Sequence, residues 1–108
     1  MTQPLPKPVA DYVEANARLD AGAMLRAFAA HAVVRDDGGS HEGPDAILTW
    51  IQAATIANRA VFTPDTVSHE NGQVVLRGLT SGDFKGSPLR FTLRFTVQGD
   101  TVRALEIA

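Results

Sequence analysis

The 108-residue sequence contains no cysteine. That absence excludes a disulfide framework, a thiolate zinc site, an iron-sulfur cluster and a cysteine nucleophile. Aromatic residues are sparse at 6%, with one tryptophan and one tyrosine. Neither sign of charge is in excess: ten basic residues against twelve acidic ones leave a net charge of -2, which gives a nucleic acid no reason to bind. No run approaches the roughly 18 apolar residues of a membrane span. The segment Met1-Thr2-Gln3-Pro4-Leu5-Pro6-Lys7-Pro8 has no apolar stretch of the signal-peptide kind, and the expected location is the cytoplasm, away from any membrane. There is no phosphate-cradling glycine loop and no dinucleotide-binding glycine fingerprint; Gly38-Gly39 reads as a turn.

What is present is ordinary globular composition, 44% hydrophobic and 20% charged, which fits a single domain over residues 1–108 with one core. Behind three prolines, Val9, Tyr12, Val13, Asn16 and Ala17 recur at helical spacing. Asp20 is suited to cap a second helix, whose stripe Met24, Leu25, Phe28 and Ala29 predicts that it runs to His31. Val33-Val34-Arg35-Asp36 reads as a short strand stopped by the turn cluster Asp37-Gly38-Gly39-Ser40. Gly43-Pro44-Asp45 opens a third helix with Ile47, Trp50, Ile51 and Ala54 on its buried face, fading near Asn58.

From there the period changes to two. Residues 59–70 form a strand in which Pro64 predicts a bulge or an edge, and Asn71-Gly72 closes a tight hairpin onto residues 73–84. Beyond the turn Lys85-Gly86-Ser87-Pro88, Leu89, Phe91, Leu93, Phe95 and Val97 alternate with Arg90, Thr92, Arg94 and Thr96. Gln98-Gly99-Asp100 leads into a last strand over 101–107. The fold class is therefore α+β, with three N-terminal helices packed on a strongly curved antiparallel sheet. A sheet that curls about its helices leaves a cone with one open end, and an apolar concavity lined by Phe91, Leu93 and Phe95 is the natural place for a ligand.

In element order, and in the runs Tyr12-Val13-Glu14-Ala15, Leu19-Asp20-Ala21-Gly22, Leu25-Arg26-Ala27-Phe28-Ala29, Val33-Val34-Arg35-Asp36 and Gly43-Pro44-Asp45-Ala46-Ile47, the chain resembles the nuclear transport factor 2-like superfamily. That cone-shaped fold is shared by ketosteroid isomerases and SnoaL-like polyketide cyclases. The resemblance implies that Asp36, at the end of the first strand, matches the carboxylate that carries a proton between carbons. It implies equally that Tyr12 matches the phenol that donates a hydrogen bond to an enolate oxygen. Both roles need a site short of water, where a base gains proton affinity and a directed donor is not competed away. As surface or core residues, Asp36 is a turn aspartate and Tyr12 a packed aromatic.

On the strand over 89–97 the isomerases carry a protonated acid as a second oxyanion donor. Here the matching inward position is Phe91, a departure that favours an apolar or aromatic ligand or a different reaction. His41 sits before the third helix, where an imidazole at the cavity mouth would shuttle protons, or else belongs to a surface loop. Trp50, Phe28, Phe91, Leu93 and Phe95 are the expected ligand-binding residues. His31, His41 and His69 share no ligand spacing, so no metal is expected, and no cofactor is. Arg90 and Arg94 mark the outer sheet face as solvated or as the face through which two copies pair, a homodimer being common in this superfamily. Two functions compete: a cofactor-free isomerase or cyclase acting on a hydrophobic carbonyl compound, and a non-catalytic ligand-binding or dimerisation module.

Overall fold

A computed structural model describes residues 5–108, and Pro4, the first of the three entry prolines, lies outside them. Helix α1 (Lys7–Ala17) starts behind Pro6 with Pro8 in its first turn, where a missing N–H costs nothing. Helix α2 (Ala21–Arg26) is capped as its sequence requires: the Asp20 carboxylate accepts the Ala23 N–H at 3.0 Å.

The helix predicted to reach His31 stops at Arg26 and gives way to strand β1 (Phe28–Asp36). The Ala27 carbonyl accepts the Val102 N–H at 2.8 Å, and Phe28 pairs with Val102, so the far end of the chain holds this segment extended against its local preference. The register slips between Phe28 and Val33, and His31 is exposed in that irregular stretch. The turn cluster also holds more than a turn. Asp37 and Gly38 take positive φ values of 52° and 77°, closing a two-residue hairpin onto a short strand β2 (Gly39–Glu42).

Helix α3 (Pro44–Trp50) continues into a π-helical turn over Ile51–Ile56, which widens the helix beside its buried face of Ile47, Trp50 and Ile51. Strands β3 (Val61–Glu70), β4 (Gln73–Ser81), β5 (Leu89–Gln98) and β6 (Thr101–Ile107) then form the expected meander. Strand β4 ends at Ser81, three residues before the predicted limit of 84, because the chain leaves the sheet as a loop to meet the helix end. There the Asp83 N–H is held by the Asn58 carbonyl.

The sheet has six strands in the order β2-β1-β6-β5-β4-β3, antiparallel at every junction except β1 with β6. It curls about the helices, and its inner face buries Phe95, Leu93, Leu76, Leu105 and Val34 against Val9, Tyr12, Ile47 and Ile51. The bulge predicted at Pro64 is present: the register slips between Pro64 and Thr66, and β3 folds sharply over β4. Gly78 is required at that crossing, because a Cβ there would lie 2.1 Å from the Thr63 carbonyl oxygen and 2.8 Å from the Pro64 Cα. No helix among the described residues is long and apolar enough to cross a membrane.

Two side-chain brackets stiffen this frame. Asn16 is 3% exposed and uses both ends of its amide across the core, its Nδ2 donating to the Ala60 carbonyl at 2.9 Å and its Oδ1 accepting the Phe62 N–H at 2.7 Å. On the outer sheet face, Glu70 accepts from Ser68 Oγ at 2.7 Å and from Arg77 and Arg94 at 3.3 Å, while Arg90 grips Asp65 through two bonds of 2.8 and 2.9 Å. Ser68, with Arg77 and Arg94 behind it, holds the Glu70 carboxyl below the ordinary glutamate value; Arg90 does the same for Asp65.

Asn16→Ala strands two buried backbone groups, and we expect it to lower unfolding free energy by about 3 kcal/mol in urea titrations; a change below about 0.5 kcal/mol would show that water replaces the amide there. Because Glu70 is more acidic folded than unfolded, its contribution is present above the ordinary glutamate value of 4.5 and is lost as pH falls through the lower folded value. Melting temperatures of Glu70→Gln measured against pH should therefore fall less steeply than those of the wild type below about pH 4.5; parallel curves would show that these bonds contribute nothing.

Candidate functional site

Between α1, the helix over 44–56 and the concave sheet face lies a partly open cavity of about 280 Å³. Its location follows from residue sizes. At the narrow end of the cone, Tyr12 fills the space between Phe28 and Phe95, packing edge-on to both at ring distances of 5.7 and 5.5 Å. At the wide end the helices stop short of the sheet, and the space stays open.

Tyr12 and Asn16, four residues apart, project from one face of α1 into this wall. Among the described residues the Tyr12 hydroxyl has no hydrogen-bond partner, yet no buried side-chain polar atom is unsatisfied, so that hydroxyl keeps accessible surface. Since Tyr12 lines the cavity, that surface faces its interior. Loss of water pushes the phenol well above its ordinary value of 10.0, and the negative charge of Asp36 adds to the shift. Tyr12 is therefore a neutral donor at any physiological pH.

Asp36 stands last in β1, on the inward side with Ala32 and Val34, so strand alternation aims it into the cavity beside Ile107 of β6, its partner in register. Its Oδ2 accepts the Trp50 indole N–H at 3.0 Å. That bond crosses from the end of β1 to the end of α3 and holds the carboxylate in one orientation. Its Oδ1 has no partner among the described residues and remains available to a ligand. Phe62, Phe91, Leu93 and Ile107 form the sheet wall, Phe84 and Leu89 the rim, and Thr55, Asn58 and Thr80 supply the remaining polar edge.

Of the residues singled out in the sequence, Asp36, Tyr12, Trp50, Phe91 and Leu93 meet at this cavity. Phe28 and Phe95 do not line it. Both are core residues shielded by the Tyr12 ring that they support. His41 is also outside the lining: β2 sets it opposite Val34, and its imidazole packs on the Trp50 indole, 6.1 Å away and tilted by 32°. Asn16, Phe62 and Phe84 complete the wall and are additions. A polar residue inside the apolar stripe of α1 was the available signal for Asn16, whereas Phe84 depends on how the loop after β4 folds back. Among the described residues no group of three or more His, Asp or Glu side chains is arranged to hold a metal ion.

Comparison with known proteins bears on the family and the fold. Among curated proteins none matches the sequence. Among solved structures, a candidate polyketide cyclase from Sinorhizobium meliloti is 36% identical and superposes with a TM-score of 0.89 over 96% of this chain and 95% of that one. A hypothetical protein of ketosteroid isomerase-like fold from Catenulispora acidiphila, solved in complex with trimethylamine, is 19% identical, with a TM-score of 0.81 over 97% and 86% of the two chains. A nuclear transport factor 2-like protein from Cytophaga hutchinsonii, 12% identical, has a TM-score of 0.79 over 99% and 91%. The latter two show the shared fold alone. The model of the SnoaL-like domain matches residues 9–105, nearly the whole chain, and the protein belongs to the SnoaL-like domain family.

Proposed function

We propose that the protein moves a proton on a small hydrophobic carbonyl compound, as an isomerase or cyclase without a cofactor, with Asp36 as base and Tyr12 as hydrogen-bond donor. The observation that carries this reading is that an available carboxylate oxygen and an unpartnered phenol hydroxyl face one apolar cavity. Kinship with the candidate cyclase of Sinorhizobium meliloti supports the reaction class.

In this reading Asp36 Oδ1 takes a proton from the carbon next to the carbonyl, and the electron pair passes to the carbonyl oxygen, which the Tyr12 hydroxyl stabilises. Return of the proton to a different carbon gives an isomer; attack of the enolate carbon on a second carbonyl of the same molecule closes a ring. Trp50 donates to Oδ2 and so leaves Oδ1 to the substrate. Phe91 stands on the wall where a second acidic donor would otherwise act, which leaves Tyr12 as the principal oxyanion donor. A single donor of this kind is worth about 100-fold to 1,000-fold in rate.

Deuterium exchange at the α-carbon of 2-tetralone in heavy water, followed by proton NMR, tests the proposal. The wild type should exceed the buffer rate, Asp36→Asn should lose about 100-fold or more of that excess, and Tyr12→Phe a similar factor. Exchange no faster than buffer for 2-tetralone and a panel of small cyclic ketones, or an undiminished rate in Asp36→Asn, would overturn it.

A further inference from the structure

Among the described residues Asp36 is the only acidic or basic side chain lining the cavity; every other lining residue is apolar, aromatic or neutral and polar. The described lysine and arginine ion pairs all lie elsewhere, with Asp11, Asp20, Asp65 and Glu70. Among the described residues the one hydrogen-bond partner of Asp36 is the neutral indole N–H of Trp50. A carboxylate facing an apolar chamber with one neutral hydrogen bond lacks a countercharge, which a ligand can supply. The wall around it is aromatic: Tyr12, Trp50, Phe62, Phe84 and Phe91 all contribute rings, and ring faces attract cations.

We infer that this cavity binds small apolar amines as ammonium ions, with the charged N–H donating to Asp36 Oδ1 and the apolar body lying against the aromatic wall. Geometry narrows the class of cation. A guanidinium pairs best with both oxygens of a carboxylate, and the Trp50 N–H already occupies one lone pair of Oδ2, which disfavours that two-point fit. A divalent metal ion needs several oxygen or nitrogen ligands, and no such group is assembled among the described residues. A primary ammonium is a compact charge with three donors: one N–H suits Oδ1, and the polar edge at Thr55, Asn58 and Thr80 offers acceptors for the others. A cavity of about 280 Å³ lies at the small end of ligand sites, which start near about 300 Å³, and so favours an amine with a compact apolar body.

The inference uses the cavity of the proposed reaction but not the proton transfer itself. Amine binding without ketone exchange refutes the reaction and leaves this proposal standing, and ketone exchange without amine preference does the reverse. Benzylamine and benzyl alcohol, which share a ring and differ in charge, are titrated by calorimetry at neutral pH, with Trp50 fluorescence reporting occupancy of the site. The wild type should bind benzylamine at least about tenfold more tightly than benzyl alcohol, and in Asp36→Asn that preference should disappear. Equal affinity for the two compounds in the wild type, no binding of benzylamine, or a preference that survives in Asp36→Asn would overturn the inference. The wild-type comparison decides the matter even if the variant fails to fold.

Discussion

The cavity depends on one buried amide. Asn16 holds α1 against the start of β3, satisfying a carbonyl and an N–H two residues apart on that segment that would otherwise face the core unpaired. An apolar residue would leave two buried backbone groups without partners, and a charged one would add a desolvation cost that nothing nearby offsets. By fixing the angle of α1 over the sheet, this bracket also fixes Tyr12, one turn earlier on the same face.

Once α1 is set, the cone divides in two. Its narrow end is filled by Tyr12, Phe28 and Phe95 in edge-on contact, which keeps the Tyr12 ring rigid and dry while leaving its hydroxyl at the boundary with the open end. At that open end Asp36 is clamped by Trp50, a bond that ties the last residue of a strand to the last residue of a helix. Strand and helix are joined through the short β2, which pairs with β1 and leads directly into α3. Core and site are thus continuous. The aromatic rings that stabilise the fold are the ones that keep water from the Tyr12 phenol, and its raised proton affinity is the electrostatic result.

Much of this was readable in the sequence because it is local or periodic. The alternation from Leu89 to Val97, the Asn71-Gly72 hairpin, the Pro64 bulge and the Asp20 cap each follow from the covalent habits of a few neighbouring residues, and each is present. Asp36 and Tyr12, both singled out in the sequence, line the same cavity. What was not legible is what depends on distant partners. The segment after Arg26 has a helical stripe, yet it becomes a strand because Val102 pairs with it from the other end of the chain. Phe28 and Phe95 share the inward face with the cavity residues, and only the position of Tyr12 decides that they lie beneath the wall and not on it. His41, which the sequence leaves between the cavity mouth and a surface loop, is a strand residue carried onto the Trp50 ring. The bond between Trp50 and Asp36 joins two elements whose relative position no local pattern encodes.

Whether Asp36 Oδ1 and the Tyr12 hydroxyl act on one ligand inside the cavity, as proposed, is decided by a crystal structure with 2-tetralone bound. The ketone oxygen should lie within hydrogen-bond distance of the Tyr12 hydroxyl, with the adjacent carbon facing Asp36 Oδ1 and the Trp50 indole still bonded to Oδ2. Ketone bound outside this cavity, or an Asp36 side chain turned out to bulk water with Tyr12 unengaged, would contradict the proposal.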